Sequence, residues 1–295
     1  MIIVGEIIDV KAMTEHIRAK IARATETLKN KHGVTPTLKV ILVGEDPASI
    51  SYTKGKAKAC IELGLANEII KLPATITEEE LLEVVNSLNE DDSVNGFMVQ
   101  VPLPSHLNEQ KILDQISLEK DIDGFHPQHL GNLLLGLPAF IPCTPKGIIA
   151  ILDGLDYDLT GKQVVIVGRS NIVGKPISIL ALERHATVTI CHSRTENLSE
   201  VTQLADVLIV AIGRPHFITK EYVKLGSIII DVGVNRTEGS KKLLGDVDTI
   251  DVLEKVAAIT PVPGGVGPMT ITMLLQNTIQ ATCQQHNIDI ADALG

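Results

Sequence analysis

The sequence predicts an α/β protein of two domains, each a parallel sheet covered by helices. Three observations predict it. Short apolar runs rich in branched aliphatic residues recur at 38–43, 94–101, 164–167, 207–212 and 227–232, and such runs suit strands buried on both faces. Helix-patterned stretches alternate with them, which is the signature of parallel strands joined by crossover helices. Hydrophobic residues make up 44% of the 295 positions but aromatics only 2%, with no Trp, so the core has to be aliphatic. That length exceeds one small core.

In chain order, 10–32 reads as an amphipathic helix with Ile17, Ile21, Ala24 and Leu28 on one face, stopped by Gly33. A buried-type strand, 38–43, ends at Gly44. Asp46 and Pro47 open a helix that runs to about Leu63 before Gly64, and 68–72 forms a second strand. Thr77 is placed to cap a helix reaching Leu88, with Glu80 at the capping-box position. A third strand, 94–101, runs into Pro102-Leu103-Pro104. Two short helices, 107–116 and 127–134, flank the polar loop Lys120-Asp121-Ile122-Asp123-Gly124-Phe125. Pro138, Pro142 and Pro145 mark a break, and Thr144 is expected to cap a connecting helix over 145–155. The second domain carries strands at 164–167, 187–191, 207–212 and 227–232. Residues 242–251 are polar and turn-rich, 261–268 combine three prolines with three glycines, and an apolar helix runs from about Thr270 to His286. The expected domains are 1–143 and 144–269, with 270–295 returning to the first.

Composition bounds the partners. A net charge of −10 argues against a nucleic-acid surface, which needs a basic patch. The four cysteines, Cys60, Cys143, Cys191 and Cys283, are scattered without a CxxC pair, as in a reducing compartment. The N-terminus, MIIVGEIIDV, lacks the basic start and cleavage site of a signal peptide, and no apolar run approaches the roughly 20 residues that span a bilayer. A cytoplasmic protein with no membrane partner is expected. His126 and His129 lack a third ligand at a telling spacing, so no metal is expected.

The stretch Gln163 to Pro176, QVVIVGRSNIVGKP, joins a buried-type strand to a helix through a small-residue turn. That is where a dinucleotide pyrophosphate sits, because backbone N–H groups at a helix start favour negative charge. The spacing departs from the usual glycine fingerprint: Ser170 stands where a second glycine is common. After the next strand come His192-Ser193-Arg194-Thr195, with no carboxylate for ribose hydroxyls. Ser193 and Arg194, with Arg169, suit a 2′-phosphate instead, which favours NADP over NAD. In the first domain, Ser49, Tyr52 and Lys56 share a helix face by i+3 and i+4 steps, while Lys54 and Lys58 point away. Gln100 stands at a strand end, where site residues collect in open α/β sheets. Loop aspartates such as Asp121 and Asp123 ordinarily make turns.

Together these pieces resemble the bifunctional methylenetetrahydrofolate dehydrogenase/methenyltetrahydrofolate cyclohydrolase family over essentially the whole chain. The matching residues are Ser51-Tyr52 to Lys56, Gln100-Val-Pro-Leu-Pro, Lys120-Asp-Ile-Asp-Gly-Phe, Pro142-Cys-Thr-Pro, Gly168-Arg-Ser-Asn-Ile-Val-Gly-Lys-Pro and Pro261-Val-Pro-Gly-Gly-Val-Gly-Pro-Met-Thr. The resemblance implies an N-terminal αβα folate/catalytic domain, a Rossmann-like NADP domain, and a C-terminal helix packing back on the first. It implies oxidation of 5,10-methylenetetrahydrofolate with NADP, then hydrolysis to 10-formyltetrahydrofolate. Lys56 is then the principal catalytic residue, helped by Gln100, with Tyr52 stacking on the folate and Asp123 holding the pterin. Ser49, Gly264 and Pro268 complete the expected substrate set. Gly168, Arg169, Ser170, Ile172, Val173, Gly174, Ser193, Arg194, Ile212, Gly213 and Val234 form the expected NADP set. The family resemblance also implies a homodimer through the nucleotide domains. Two other readings remain open from the residues alone: another two-domain NADP dehydrogenase, which would not need Tyr52, Lys56 and Gln100 together, and a nucleotide-sensing module without turnover.

Overall fold

The computed structural model describes residues 5–236 and 242–294. The chain opens with β1 (Glu6–Ile7) and α1 (Val10–His32). Next come β2 (Thr37–Val43), α2 (Pro47–Glu62), β3 (Ala66–Leu72), α3 (Glu78–Glu90) and β4 (Gly96–Val99). The short helices α4 (Glu109–Asp114) and α5 (Pro127–Leu134) precede α6 (Cys143–Gly154). Then follow β5 (Gln163–Val167), α7 (Gly174–Glu183), β6 (Thr187–Cys191), α8 (Leu198–Thr202), β7 (Val207–Val210) and β8 (Ile228–Asp231). The antiparallel pair β9 (Asn235–Arg236) and β10 (Leu243–Leu244), α9 (Thr249–Val252), β11 (Ala258–Ile259), α10 (Val266–Gln285) and α11 (Ile290–Leu294) complete it.

The chain forms two compact units. One comprises His16–Cys143 and Ile271 onward; the other comprises the chain up to Glu15 and Thr144–Thr270. In the first unit β3, β2 and β4 form a parallel sheet in that order. Leaving β2, the chain crosses to β3 on one side and then to β4 on the other, which opens a crevice at the C-terminal ends of β2 and β4. One face packs Ile41, Val43, Phe97 and Val99 against Leu81 and Val85 of α3. Thr77 forms the expected capping box with Glu80. α10 belongs to this core from Ile271 on: Met273, Leu274, Leu275 and Ile279 are buried, and Thr272 accepts a hydrogen bond from Arg18 of α1 at 3.0 Å.

The second unit holds a six-stranded parallel sheet in the order β1-β11-β8-β7-β5-β6. β5 is its switch point, with β6 on one side and β7 on the other. Val165, Val167, Leu208, Val210 and Ile229 build its aliphatic core with Val247 and Val252. The opening residues correct the expected grouping of 1–143. β1 pairs parallel with β11, Glu6 opposite Ala258 and Ile7 opposite Ile259, so the chain up to Glu15 goes with the nucleotide-type sheet. A two-residue strand has no periodicity to read, and its partner lies at the far end of the chain.

Helix starts give a second correction. α6 begins at Cys143, so Thr144 lies inside the helix and its hydroxyl meets that of Thr270 at 3.1 Å instead of capping. α10 begins at Val266, earlier than the expected start near Thr270, and α7 begins at Gly174. In all three helices the third residue is proline: Pro145, Pro176 and Pro268. The N–H groups of a first helical turn have no intrahelical acceptor, so a proline there removes nothing. Such a proline reads as a break in sequence but sits within the first turn. β4 also ends sooner than 94–101 suggests, and its segment turns into Val101-Pro102, a cis peptide.

Candidate active site and nucleotide turn

Asp46 caps α2 by accepting the Ser49 N–H at 2.7 Å, and Pro47 occupies its first position. The helix then buries one stripe: Ser49, Thr53, Lys56, Ala59 and Cys60. Lys54 and Lys58 are exposed, as helical geometry requires. Lys56 therefore carries its ammonium into the unit, where Nζ donates to Gln100 Oε1 at 3.0 Å and lies 3.0 Å from Met98 Sδ. Gln100 directly follows β4, and its backbone N–H continues the ladder to Ile41 O at 2.9 Å. Its Nε2 donates to Val101 O at 2.7 Å, which fixes the amide with its oxygen towards Lys56.

Asp123 arrives on a tightly held loop. Lys120 Nζ donates to the carbonyls of Leu88, Asn89 and Asp91 at 3.0, 2.9 and 2.8 Å, closing the end of α3. Phe97 N–H donates to Lys120 O at 3.1 Å, so the loop lies alongside β4. Asp121 accepts the His126 N–H at 2.7 Å. Gly124 has φ +73°, and a Cβ there would collide with Phe140 O. From α10, Asn277 Nδ2 donates to Ile122 O at 2.8 Å and Ile141 O at 3.1 Å.

The charges are strongly perturbed. Burial pushes the Lys56 ammonium below its ordinary range, against the opposing pull of Asp123. Burial likewise raises the Asp123 carboxyl, with Lys56 and the Cys143 thiol acting against it. Each group thus makes the other's charge cheaper without forming an ion pair among the described residues. Asp121, more deeply enclosed, is pushed up to about 7 by burial. A lysine with a lowered pKa, one amide acceptor and a nearby carboxyl is suited to proton transfer.

Lys56 and Gln100 are thus in direct contact, with Asp123 close enough to affect Lys56. Ser49 is 3% exposed. Tyr52 lies at the edge of the buried stripe and is 41% exposed, so its ring offers a face to a flat ligand. Gly264, with φ +101°, and Pro268 belong to the other unit, at the start of α10.

In that unit the turn after β5 lies at the switch point of the sheet. A Cβ on Gly168 would collide with Ala211 O, and one on Gly174 with Gly168 O, so both positions need glycine. Ser170 replaces the usual middle glycine for a visible reason. Its Oγ accepts the N–H groups of Val173 at 3.1 Å and Gly174 at 3.4 Å, closing the turn from inside. The N–H groups of Arg169, Ser170, Asn171 and Ile172 have no protein acceptor among the described residues. β6 pairs beside β5 with Cys191 opposite Val167, so the turns carrying Arg169 and Ser193-Arg194 follow neighbouring strand ends. His192 organises the second turn: Nδ1 accepts the Arg194 N–H at 3.1 Å, and its own N–H donates to Thr195 Oγ1 at 2.8 Å. Arg169, Ser193 and Arg194 are exposed, and neither arginine has an ion-pair partner among the described residues. Ile212, Gly213 and Val234 follow β7 and β8 in the same unit.

Sequence reasoning missed Met98, Asn277 and Asp246. Asn277, a polar residue on the apolar helix, carried a signal; Met98 looked like ordinary strand core.

Two family models match. The tetrahydrofolate dehydrogenase/cyclohydrolase catalytic domain covers residues 8–123, and the NAD(P)-binding domain of the same family covers 142–286. A bifunctional protein FolD of Brevibacillus brevis is 54% identical over 275 residues, covering 93% of this chain and 96% of the relative. The crystal structure of the FolD methylenetetrahydrofolate dehydrogenase/cyclohydrolase from Campylobacter jejuni is similar at a TM-score of 0.91 and 48% identity, over 94% of this chain and 98% of that one. The Trypanosoma brucei dehydrogenase-cyclohydrolase, solved with NADP cofactor and inhibitor, has a TM-score of 0.91 and 34% identity, over 95% and 98%.

Proposed function

Because this chain belongs to the tetrahydrofolate dehydrogenase/cyclohydrolase family, we infer that it oxidises 5,10-methylenetetrahydrofolate with NADP and hydrolyses the resulting methenyl compound to 10-formyltetrahydrofolate. The single observation that carries the chemistry is Lys56, buried with Nζ on Gln100 Oε1 and its pKa lowered. In the hydrolytic step neutral Lys56 takes a proton from the water that adds to the methenyl carbon. Ring opening then breaks the bond from that carbon to N5: Lys56 gives its proton to N5 and takes up the proton of the new hydroxyl as the formyl carbonyl forms, and that proton is released to solvent to leave Lys56 neutral again. Gln100 orients the amine. Asp123 accepts paired N–H donors from the amino-pyrimidine edge of the pterin, and Tyr52 stacks on the folate, with Ser49 beside it on the same helix.

NADP, when bound, supplies the acceptor for the hydride that leaves the methylene carbon. The 168–174 turn fits it: two glycines whose Cβ atoms would fill the turn, and backbone N–H groups of Arg169 to Ile172 available for phosphate oxygens. Val173 and Gly174 shape that turn with Ser170. Arg169, Ser193 and Arg194 are assigned to the 2′-phosphate, and Ile212, Gly213 and Val234 to the remainder of the dinucleotide.

The partner reading is a second copy of the chain through the nucleotide units. In support, β6 is an edge strand with Ile190 exposed, and Leu182 of α7 is exposed in the same unit. A solution mass equal to one 31.7 kDa chain at working concentration would sink it. Among the described residues no helix is long and apolar enough to cross a membrane. The four buried cysteines form no disulfide, which supports a cytoplasmic setting.

The decisive assay supplies methylenetetrahydrofolate with NADP or NAD and follows reduced nucleotide, methenyl and formyl products separately. The expected result is reduced NADP with formyl product. No reduced nucleotide from either cofactor overturns the reading.

A further inference from the structure

Two buried carboxylates lie behind the strand ends of the nucleotide unit, and neither belongs to the residues assigned above. Asp231 ends β8 and is 1% exposed; Asp246 is fully buried. Asp231 Oδ1 accepts the N–H groups of Gly233 and Asp246, each at 3.0 Å, and Oδ2 accepts that of Val247 at 3.0 Å. Asp246, held in place in this way, gathers two turns. Its Oδ2 accepts the N–H groups of Ile212 at 2.7 Å and Gly213 at 3.0 Å, and its Oδ1 accepts that of Arg214 at 2.8 Å. The same Oδ1 accepts Asn235 Nδ2 at 2.8 Å.

These bonds change what the turn after β7 can do. Ala211-Ile-Gly-Arg214 reads in sequence as a glycine turn with N–H groups for a phosphate. Three of those N–H groups are already used on an internal carboxylate, which fills the concavity where an anion would sit. Phosphate binding therefore falls on the turn after β5, and the turn after β7 meets a ligand through carbonyls and side chains. β7 and β8 are neighbours, Val210 opposite Asp231. The turns that follow them carry Ile212, Gly213 and Val234, and Asp246 ties the two together through Ile212, Gly213, Arg214 and Asn235. The packing leaves no slack: a Cβ on Gly233 would collide with the Asp246 carboxylate, and one on Gly245 with that of Asp231.

We propose that Asp246 is a positioning residue for the dinucleotide, its carboxylate joining the turns after β7 and β8 into one preformed surface for the cofactor. The proposal rests on the reading of this unit as the NADP site. Asn in place of Asp246 keeps the volume and one acceptor oxygen, but it turns an NH2 towards a set of N–H donors. One or both turns then lose their anchor.

The test is Asp246→Asn in the full chain, measuring dehydrogenase kinetics against NADP and the rise in melting temperature that NADP produces. The expected result is an NADP KM raised about tenfold, with kcat at saturating NADP reduced less than threefold and the NADP-induced rise in melting temperature diminished. An unchanged NADP KM overturns the proposal, and so does a loss of kcat at saturation as large as the loss of affinity. If Asp246→Asn does not fold, Asn235→Ala decides. That residue is only partly buried, and its loss removes the side-chain donor linking the second turn to Asp246. It should raise the NADP KM about threefold in the same pattern, and a wild-type KM there rejects the link. Wild-type chain that binds no NADP would defeat the cofactor reading itself, which is a separate outcome.

Discussion

Lys56 and Gln100 form one hydrogen-bonded unit, with the amide oxygen on Nζ at 3.0 Å and the amide nitrogen committed to Val101 O at 2.7 Å. The lysine is thus aimed by a group that cannot take its proton. The carboxyl that acts on it, Asp123, has its own pKa raised by burial.

Replacing Lys56 by Met tests the chemistry. Hydrolysis of the methenyl compound should fall by about 100-fold or more, the scale of a lost general base, while dehydrogenation falls less. Separate assays of methenyl hydrolysis and nucleotide reduction read the two effects, and wild-type hydrolysis would remove Lys56 from its role.

Arg194→Ala should raise the KM for NADP more than that for NAD, by about tenfold in the ratio, the size of one lost charge-assisted contact. Steady-state kinetics with both nucleotides reads it. Equal effects on the two would count against the 2′-phosphate assignment.

Asp121 predicts a stability profile. Its folded pKa is raised to about 7, against roughly 3.9 in an unfolded chain. Between those values the folded protein holds a proton that the unfolded chain has released, so stability falls as pH rises through this window. The slope from one such group is about 1.4 kcal/mol per pH unit. Asp121→Asn keeps an acceptor for the His126 N–H and removes the titration. Denaturant unfolding at several pH values between about 4 and 7 should show a flatter profile in the variant. Parallel profiles would place the Asp121 pKa near its ordinary value.

Much of this was legible in the sequence because the signals were local. Thr77 and Glu80 specify a capping box by their spacing, and the burial of Lys56 between solvated Lys54 and Lys58 follows from helical angles. What escaped was non-local or ambiguous. β1 finds its partner only at Ala258–Ile259. Pro268 obscured the start of α10, because a proline in the first turn and a proline after a helix look alike in one dimension. Asp246 lies in a polar stretch that resembles any surface loop. Its burial comes from Asp231, whose carboxylate anchors the backbone on both sides of it.

The composition of the two units also bears on how the chain is made. Neither is a continuous segment, and residues 271–285 supply buried side chains to a core whose other parts lie before Thr144. During synthesis from the N-terminus, that first core is left with an open apolar face while the whole second sheet is being translated. The loop bearing Asp123 gains its Asn277 clamp only when α10 emerges, after every strand of the second sheet has been made.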